Sequence, residues 1–293
     1  MSSLFNTEPS QFEIPHSNPE SMNLIPRMFN TLLQTLNEDE LKEVREAAYK
    51  AFGKTGLKDK GIDIINITEN NKFDALDQIT NEAKADFARR TKFQKLGLYI
   101  QAGMSKLLNP VGTETLVDAV ASCQTAGYLP TIKKFIINMD SAPDFIFHEM
   151  GHALTDKYGN FLSKFNIKSR FYVLALAPVF LLTSLIKTPN KNKDEKPEGV
   201  VDKTTTFIKN NCGKLVAATF IPILIDEALA SIKGQKLAKE FIQSKSILDG
   251  LKSTHLKAYS TYLLATGLFG GVSALAVYFR DRWSAKYKES TDY

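Results

Sequence analysis

A chain of 293 residues, 43% hydrophobic and 24% charged, has room for one large domain or two small ones and is too apolar for wholesale disorder. Its net charge of +5 is mild, and its lysines are interleaved with acids without a dense basic stripe, which argues against nucleic acid as a partner. The two cysteines, Cys123 and Cys212, lie far apart in no metal or redox spacing, which excludes a disulfide framework and suggests a reduced compartment.

Residues 1–27 are rich in Ser, Pro, Asn and Glu, with no basic start and no apolar run. They read as a disordered arm and not as a cleaved signal peptide. Residues 28–130 read as an N-terminal helical region. In "NEDELKEVREAAYKAF", Asn37 is the expected N-cap and Glu40 completes a capping box, with Gly53 as the stop. "GIDIINI" (61–67) predicts a short strand, and residues 73–90 carry apolar positions at helical spacing. Two further helices are expected over 96–108 and 113–127, parted by "NPVGT". "KKFIINMD" (133–140) predicts a strand leading into "DFIFHEMGHALTD" (144–156). The edge of that strand is expected to be open to an extended peptide.

After residue 170 the composition shifts. Residues 171–186 carry no charge, 215–225 are apolar, and 258–279 are 22 uncharged residues closed by "RDRW". Only the last reaches the roughly 20 residues of a spanning helix alone, and an Arg/Trp edge suits a membrane interface. Helices buried in a soluble core are the alternative for each. If 171–186 enters a bilayer and 213–226 returns, Glu227 emerges on the side of the His-bearing helix, and 232–250 would lie along the surface. The positive-inside rule makes the lysine-rich connector (187–214) and the C-terminal tail cytoplasmic, although lysines on the other flank weaken that orientation.

His148 and His152 are two of four histidines, and at four residues apart they share one helix face. Two such imidazoles can reach one Zn²⁺ at about 2.0–2.1 Å. Glu149 beside the first can act as general base, while the ion would activate a water and polarise a carbonyl. Ser141 is the expected N-cap of this helix, with Pro143 and Asp144 in its first turn. Gly151 would leave room for close packing. Two histidines satisfied without a metal are the alternative. A catalytic zinc wants a third protein ligand. Position 158 holds Tyr158 rather than a third histidine, and His16 falls in the arm, which leaves His255 or a carboxylate. Glu227, at the end of an apolar run beside Asp226, is the best candidate; an acid pair at a membrane-interface helix end is the alternative reading.

"HEMGHAL" and, some 75 positions later, "DEALAS" resemble the gluzincin arrangement of membrane zinc peptidases. The nearest likeness is to the YugP-like neutral zinc metallopeptidases, with a more distant one to HtpX-like and CAAX prenyl proteases. Those carry HExGHA, matched by His148, Glu149, Gly151, His152 and Ala153. Their Glu-x-x-Ala-Ser motif is matched by Glu227, Ala230 and Ser231, and their Thr-Tyr pair in a hydrophobic helix by Thr261 and Tyr262. The likeness covers roughly residues 133 to 280. It implies one Zn²⁺ per chain held by His148, His152 and Glu227, with Glu149 as base. Ser231 would stand where the HtpX-like group orients a histidine ligand. For the oxyanion, His255, Tyr259 and Tyr262 are candidates by position. The expected fold is mainly α with a small β element. A zincin-like HExxH helix would lie next to a short sheet within 131–293, with two to three hydrophobic, transmembrane helices at 171–186, 213–226 and 258–279. The expected protein is a zinc metalloendopeptidase, a hydrolase of protein or peptide substrates, multi-pass in an inner or cytoplasmic membrane. A catalytically inactive membrane scaffold with a structural zinc site is the alternative, and a soluble helical protein with a chance motif is a third.

Overall fold

The computed structural model describes residues 36–92, 95, 113–174, 176–185 and 199–291. The expected arm with His16, the helix over 96–108 and residues 186–198 of the connector lie outside the described residues.

Helix α1 (Glu38–Lys54) starts with the capping box expected of Asn37 and Glu40: Asn37 Oδ1 accepts from the Glu40 N–H at 2.9 Å and Glu40 Oε2 from the Asn37 N–H at 3.0 Å. Gly53 does not end it. The chain turns at Gly56, whose φ of 64° is the left-handed value that stops a helix. Val44, Ala47, Ala48, Ala51 and Phe52 form its buried face.

Strand β1 (Asp63–Asn66) is followed by α2 (Lys72–Arg89) and α3 (Thr113–Ala121). The helix expected to reach residue 127 ends at Ala121. Cys123 takes φ 60°, and the bonds Gln124 N–H to Ala119 O (2.8 Å) and Cys123 N–H to Val120 O (3.0 Å) close a Schellman cap. The residues freed by this stop make β2 (Gly127–Leu129), a strand absent from the sequence reading. With β3 (Lys134–Ile137) they form a sheet in the order β1-β3-β2, β1 parallel and β2 antiparallel to β3. β3 is therefore central, and neither edge of "FIIN" is open to a peptide; β1 and β2 are the outer strands. Phe135, Ile136 and Ile137 are fully buried, as a strand covered on both faces requires.

Helix α4 (Phe145–Tyr158) carries the HExxH residues. Its start also differs from expectation. Asn138 Oδ1 accepts from the Asp140 and Ser141 N–H groups (3.1 and 3.0 Å), turning the chain out of β3. Arg45 donates to Met139 O (2.9 Å) and Asp140 O (2.6 Å), tying that turn to α1. The turn thus ends before helix geometry begins, and Asp144, not Ser141, holds the cap position, without a side-chain cap bond.

The second half is helical: α5 (Phe161–Leu174), α6 (Leu176–Leu185), α7 (Val200–Ala218), α8 (Ile221–Phe241) and α9 (Lys245–Thr291). The 171–186 run is shared between α5 and α6. α6 alone has 10 residues, about 15 Å of helix, half the roughly 30 Å of a bilayer core. The 213–226 run is broken at Thr219–Phe220, because Pro222 offers no N–H to the Ala218 carbonyl and Thr219 Oγ1 bonds Val216 O (2.7 Å) instead. Among the described residues, two helical stretches are long and apolar enough to cross a membrane, Val200–Phe241 (α7 with α8) and Lys245–Trp283 within α9. Within 232–250, Leu237, Ala238, Ile242 and Ile247 join the core with α1, β3 and α4, so one side of this stretch packs on protein. A separate apolar cluster of Ala177, Cys212, Val216 and Phe220 unites α6, α7 and α8, with Val277 of α9 packed on it. Both cysteines are free thiols.

Candidate metal centre

The centre is built where α4 crosses α8. A Cβ on Gly151 would overlap the Ala230 carbonyl, and one on Gly234 would overlap the Phe147 carbonyl, so the two backbones touch where only glycine fits. That contact brings the His148/His152 face of α4 against the Glu227/Ser231 face of α8, each pair one turn apart.

His148, His152 and Glu227 form a group that could hold a metal ion, their ligand atoms all within 4.8 Å of one another. His148 Nε2 stands 3.1 Å from Glu227 Oε2 and 3.1 Å from His152 Nε2, which in turn is 3.7 Å from Glu227 Oε1. Both Nε2 atoms thus face the cluster and both Nδ1 atoms face residues of α8. Ser231 Oγ lies 3.3 Å from His148 Nδ1, and Asp226 Oδ2 lies 3.3 Å from His152 Nδ1. Asp226, 1% exposed, has an orienting position that the sequence reading did not assign it. The signal was present in the adjacent acids: a buried carboxylate at the end of an apolar run requires a partner.

Glu149 is buried on the α4 flank facing the sheet, where its Oε2 accepts from the Tyr128 N–H of β2 at 2.6 Å. The Tyr128 hydroxyl donates to Asp156 Oδ2 (3.0 Å), and burial, then the Asp156 charge, raises its pKa. The sequence reading missed this pairing because it placed Gly127 at a helix end and gave residues 128 and 129 to no element. His255 of α9 is 3% exposed and packs on His148, ring centroids 5.3 Å apart. Tyr259 is half-buried, and Tyr262 is 40% exposed. At seven residues past His255, Tyr262 stands about 10 Å further along the helix.

Burial opposes the charged form of His152. The hydrogen bond to Asp226 and the charges of Glu149, Glu227 and Asp226 overcome it and push the pKa up to about 9. At the entrance to α4, burial pushes Asp144 up to about 6 against its own N–H and that of Phe145.

Compared with known protein families, curated proteins and solved structures, the chain matches none.

Proposed function

We propose that the chain is a membrane-associated zinc metallopeptidase, as its resemblance to the YugP-like neutral zinc metallopeptidases implies. The observation that carries this reading is the convergence of two imidazoles from α4 and one carboxylate from α8. Ligand atoms of a tetrahedral zinc at about 2.0–2.1 Å stand about 3.3 Å apart; the two Nε2 atoms, and His148 Nε2 and Glu227 Oε2, are each 3.1 Å apart, and His152 Nε2 is 3.7 Å from the other oxygen of the same carboxylate. Two histidines and a glutamate leave a fourth position open, the pattern of a catalytic rather than a structural zinc.

A bound zinc supplies Lewis acidity, which lowers the pKa of a water and polarises a scissile carbonyl. Glu149 takes the proton from that water and returns it to the leaving amine. The Tyr128 N–H holds one oxygen of this carboxylate and leaves Oε1 for the water. Asp226 and Ser231 fix the two imidazole planes through their Nδ1 atoms. In this reading the HExxH helix beside the short sheet is the zincin arrangement. Val200–Phe241 and Lys245–Trp283 cross the bilayer more than once between them. Glu227 lies two residues past the apolar run ending at Ile225, and His255 precedes the one starting at Ala258, which puts the metal close to the bilayer edge.

The test is zinc content and peptide hydrolysis of the wild type beside Glu149→Gln. The variant is expected to keep its zinc and lose hydrolysis by about 10²–10⁴-fold. Undiminished hydrolysis overturns the mechanism. The tie between Glu149 and the Tyr128 N–H also suits a second reading, a catalytically inactive membrane scaffold with a structural zinc site. Stoichiometric zinc without cleavage of unfolded soluble or membrane peptides by the wild type would favour that reading.

A further inference from the structure

The proposed reaction gives no task to His255, although its ring lies against a ligand. The side chain is 3% exposed, and neither ring nitrogen has a hydrogen-bond partner. The Ser231 backbone faces the ring without forming a hydrogen bond of normal geometry. Folded proteins keep few buried polar groups in this condition, and an ion or water that would satisfy them is a leading explanation. The helix that carries His255 begins at Lys245, and its first turns are held by Ile247 and Leu251 in the main core, so the ring is delivered to this place by packing.

The spacing says what would satisfy it. Two imidazoles bound to one tetrahedral ion at about 2.0–2.1 Å hold their ring centres roughly 5 Å apart. His148 and His152 stand at 4.8 Å, and His148 and His255 at 5.3 Å. His255 therefore sits at a ring separation from His148 compatible with shared coordination, although it stands outside the group of ligand atoms that lie within 4.8 Å of one another and its ring must turn to join them.

We propose that His255 is a fourth protein ligand, closing the coordination of the metal in the substrate-free protein. A ring nitrogen of His255 turns onto the ion held by His148, His152 and Glu227, and withdraws when water and substrate take that position. This inference rests on the reading of the cluster as a zinc centre and adds a resting, closed state to it. It commits the site to a borderline divalent ion that accepts nitrogen and oxygen ligands, zinc or cobalt, over calcium or magnesium, which prefer oxygen.

The experiment is zinc X-ray absorption on the full chain in detergent, wild type beside His255→Leu, with hydrolysis measured on the same samples. The wild type is expected to show three imidazoles about zinc and the variant two. If the open form is about a tenth of the population, removing the fourth ligand raises hydrolysis about tenfold. Two imidazoles in the wild type overturn the proposal by themselves, whether or not the variant folds. Three imidazoles with no hydrolysis leave the fourth ligand standing and sink the peptidase reading; two with hydrolysis do the reverse. A chain that binds neither zinc nor cobalt overturns both.

Discussion

His152 faces opposite demands from its proton and from a metal. Its pKa near 9 lies above the ordinary value of 6.5, so in the metal-free protein the proton adds stability that is fully present below 6.5 and is lost as pH rises through 9. A metal needs the neutral ring, so loading must release that proton at neutral pH. Calorimetry of zinc binding in two buffers of different ionisation heat should show about one proton released by His152 at pH 7, and Asp226→Asn should reduce the release. Asp144 runs the other way in charge but not in sign. Its folded pKa of about 6 lies above the ordinary 3.8, so the stability it adds is full below 3.8 and lost as pH rises through 6. Asp144→Asn is expected to stabilise the fold at pH 7 by about 1–3 kcal/mol, allowing for its partial exposure, and to leave stability unchanged near pH 3. Unfolding curves at both pH values check this. At this scale the grouping of His148, His152 and Glu227 was legible because spacing and an acid in an apolar setting are sequence properties. That Asp226 needs a partner was also legible, but that the partner is His152, and that Glu149 meets the Tyr128 N–H, was not, since which face of α8 meets α4 and where β2 runs are set by packing.

Among the elements, the α4–α8 crossing depends on two glycines. Gly151→Ala or Gly234→Ala must push the backbones apart, which is expected to cost about 1–3 kcal/mol and to weaken metal binding by separating the ligands. Gly53→Ala is the control: nothing lies within 4 Å of its Cβ position inside α1, so it should stabilise by about 0.5–1 kcal/mol. Thermal unfolding with metal titration separates the three variants. Helices α1 and α2 and strands β1 and β3 could be read in advance because their apolar periodicity coincides with their burial. The three residues of β2 are too few to show a period, and the stop before them rests on Cys123 in a left-handed conformation, which no propensity suggests. The Asn138 turn likewise displaced the expected Ser141 cap, because its carbonyl competes for the same stretch of backbone.

Over the whole molecule, two kinds of surface coexist. Helix α1, strand β3, helix α4 and the C-terminal half of α8 share a core, whereas α9 leaves Leu263, Leu264, Leu268, Val272, Leu275 and Phe279 exposed in succession. Monomeric soluble proteins rarely expose such a face, which marks a membrane or protein–protein contact. The full chain is expected to sediment with membranes, to resist alkaline carbonate and to enter solution only with detergent; release by carbonate alone would count against spanning. The sequence pointed to three apolar runs; among the described residues two long stretches meet the length of a span, because α6 is short.

The contacts of Gly151 with Ala230 and of Gly234 with Phe147 are made by backbone and need no ion to hold them. The ligands are therefore gathered when the chain folds, not when the ion arrives, the reverse of a zinc finger, whose fold waits for its metal. A chelator should strip the ion and leave the far-ultraviolet circular dichroism unchanged, and added zinc should restore the loaded state without a refolding phase. In a cell short of zinc, such a protein would persist as a folded reserve, ready to load within the time of ion diffusion.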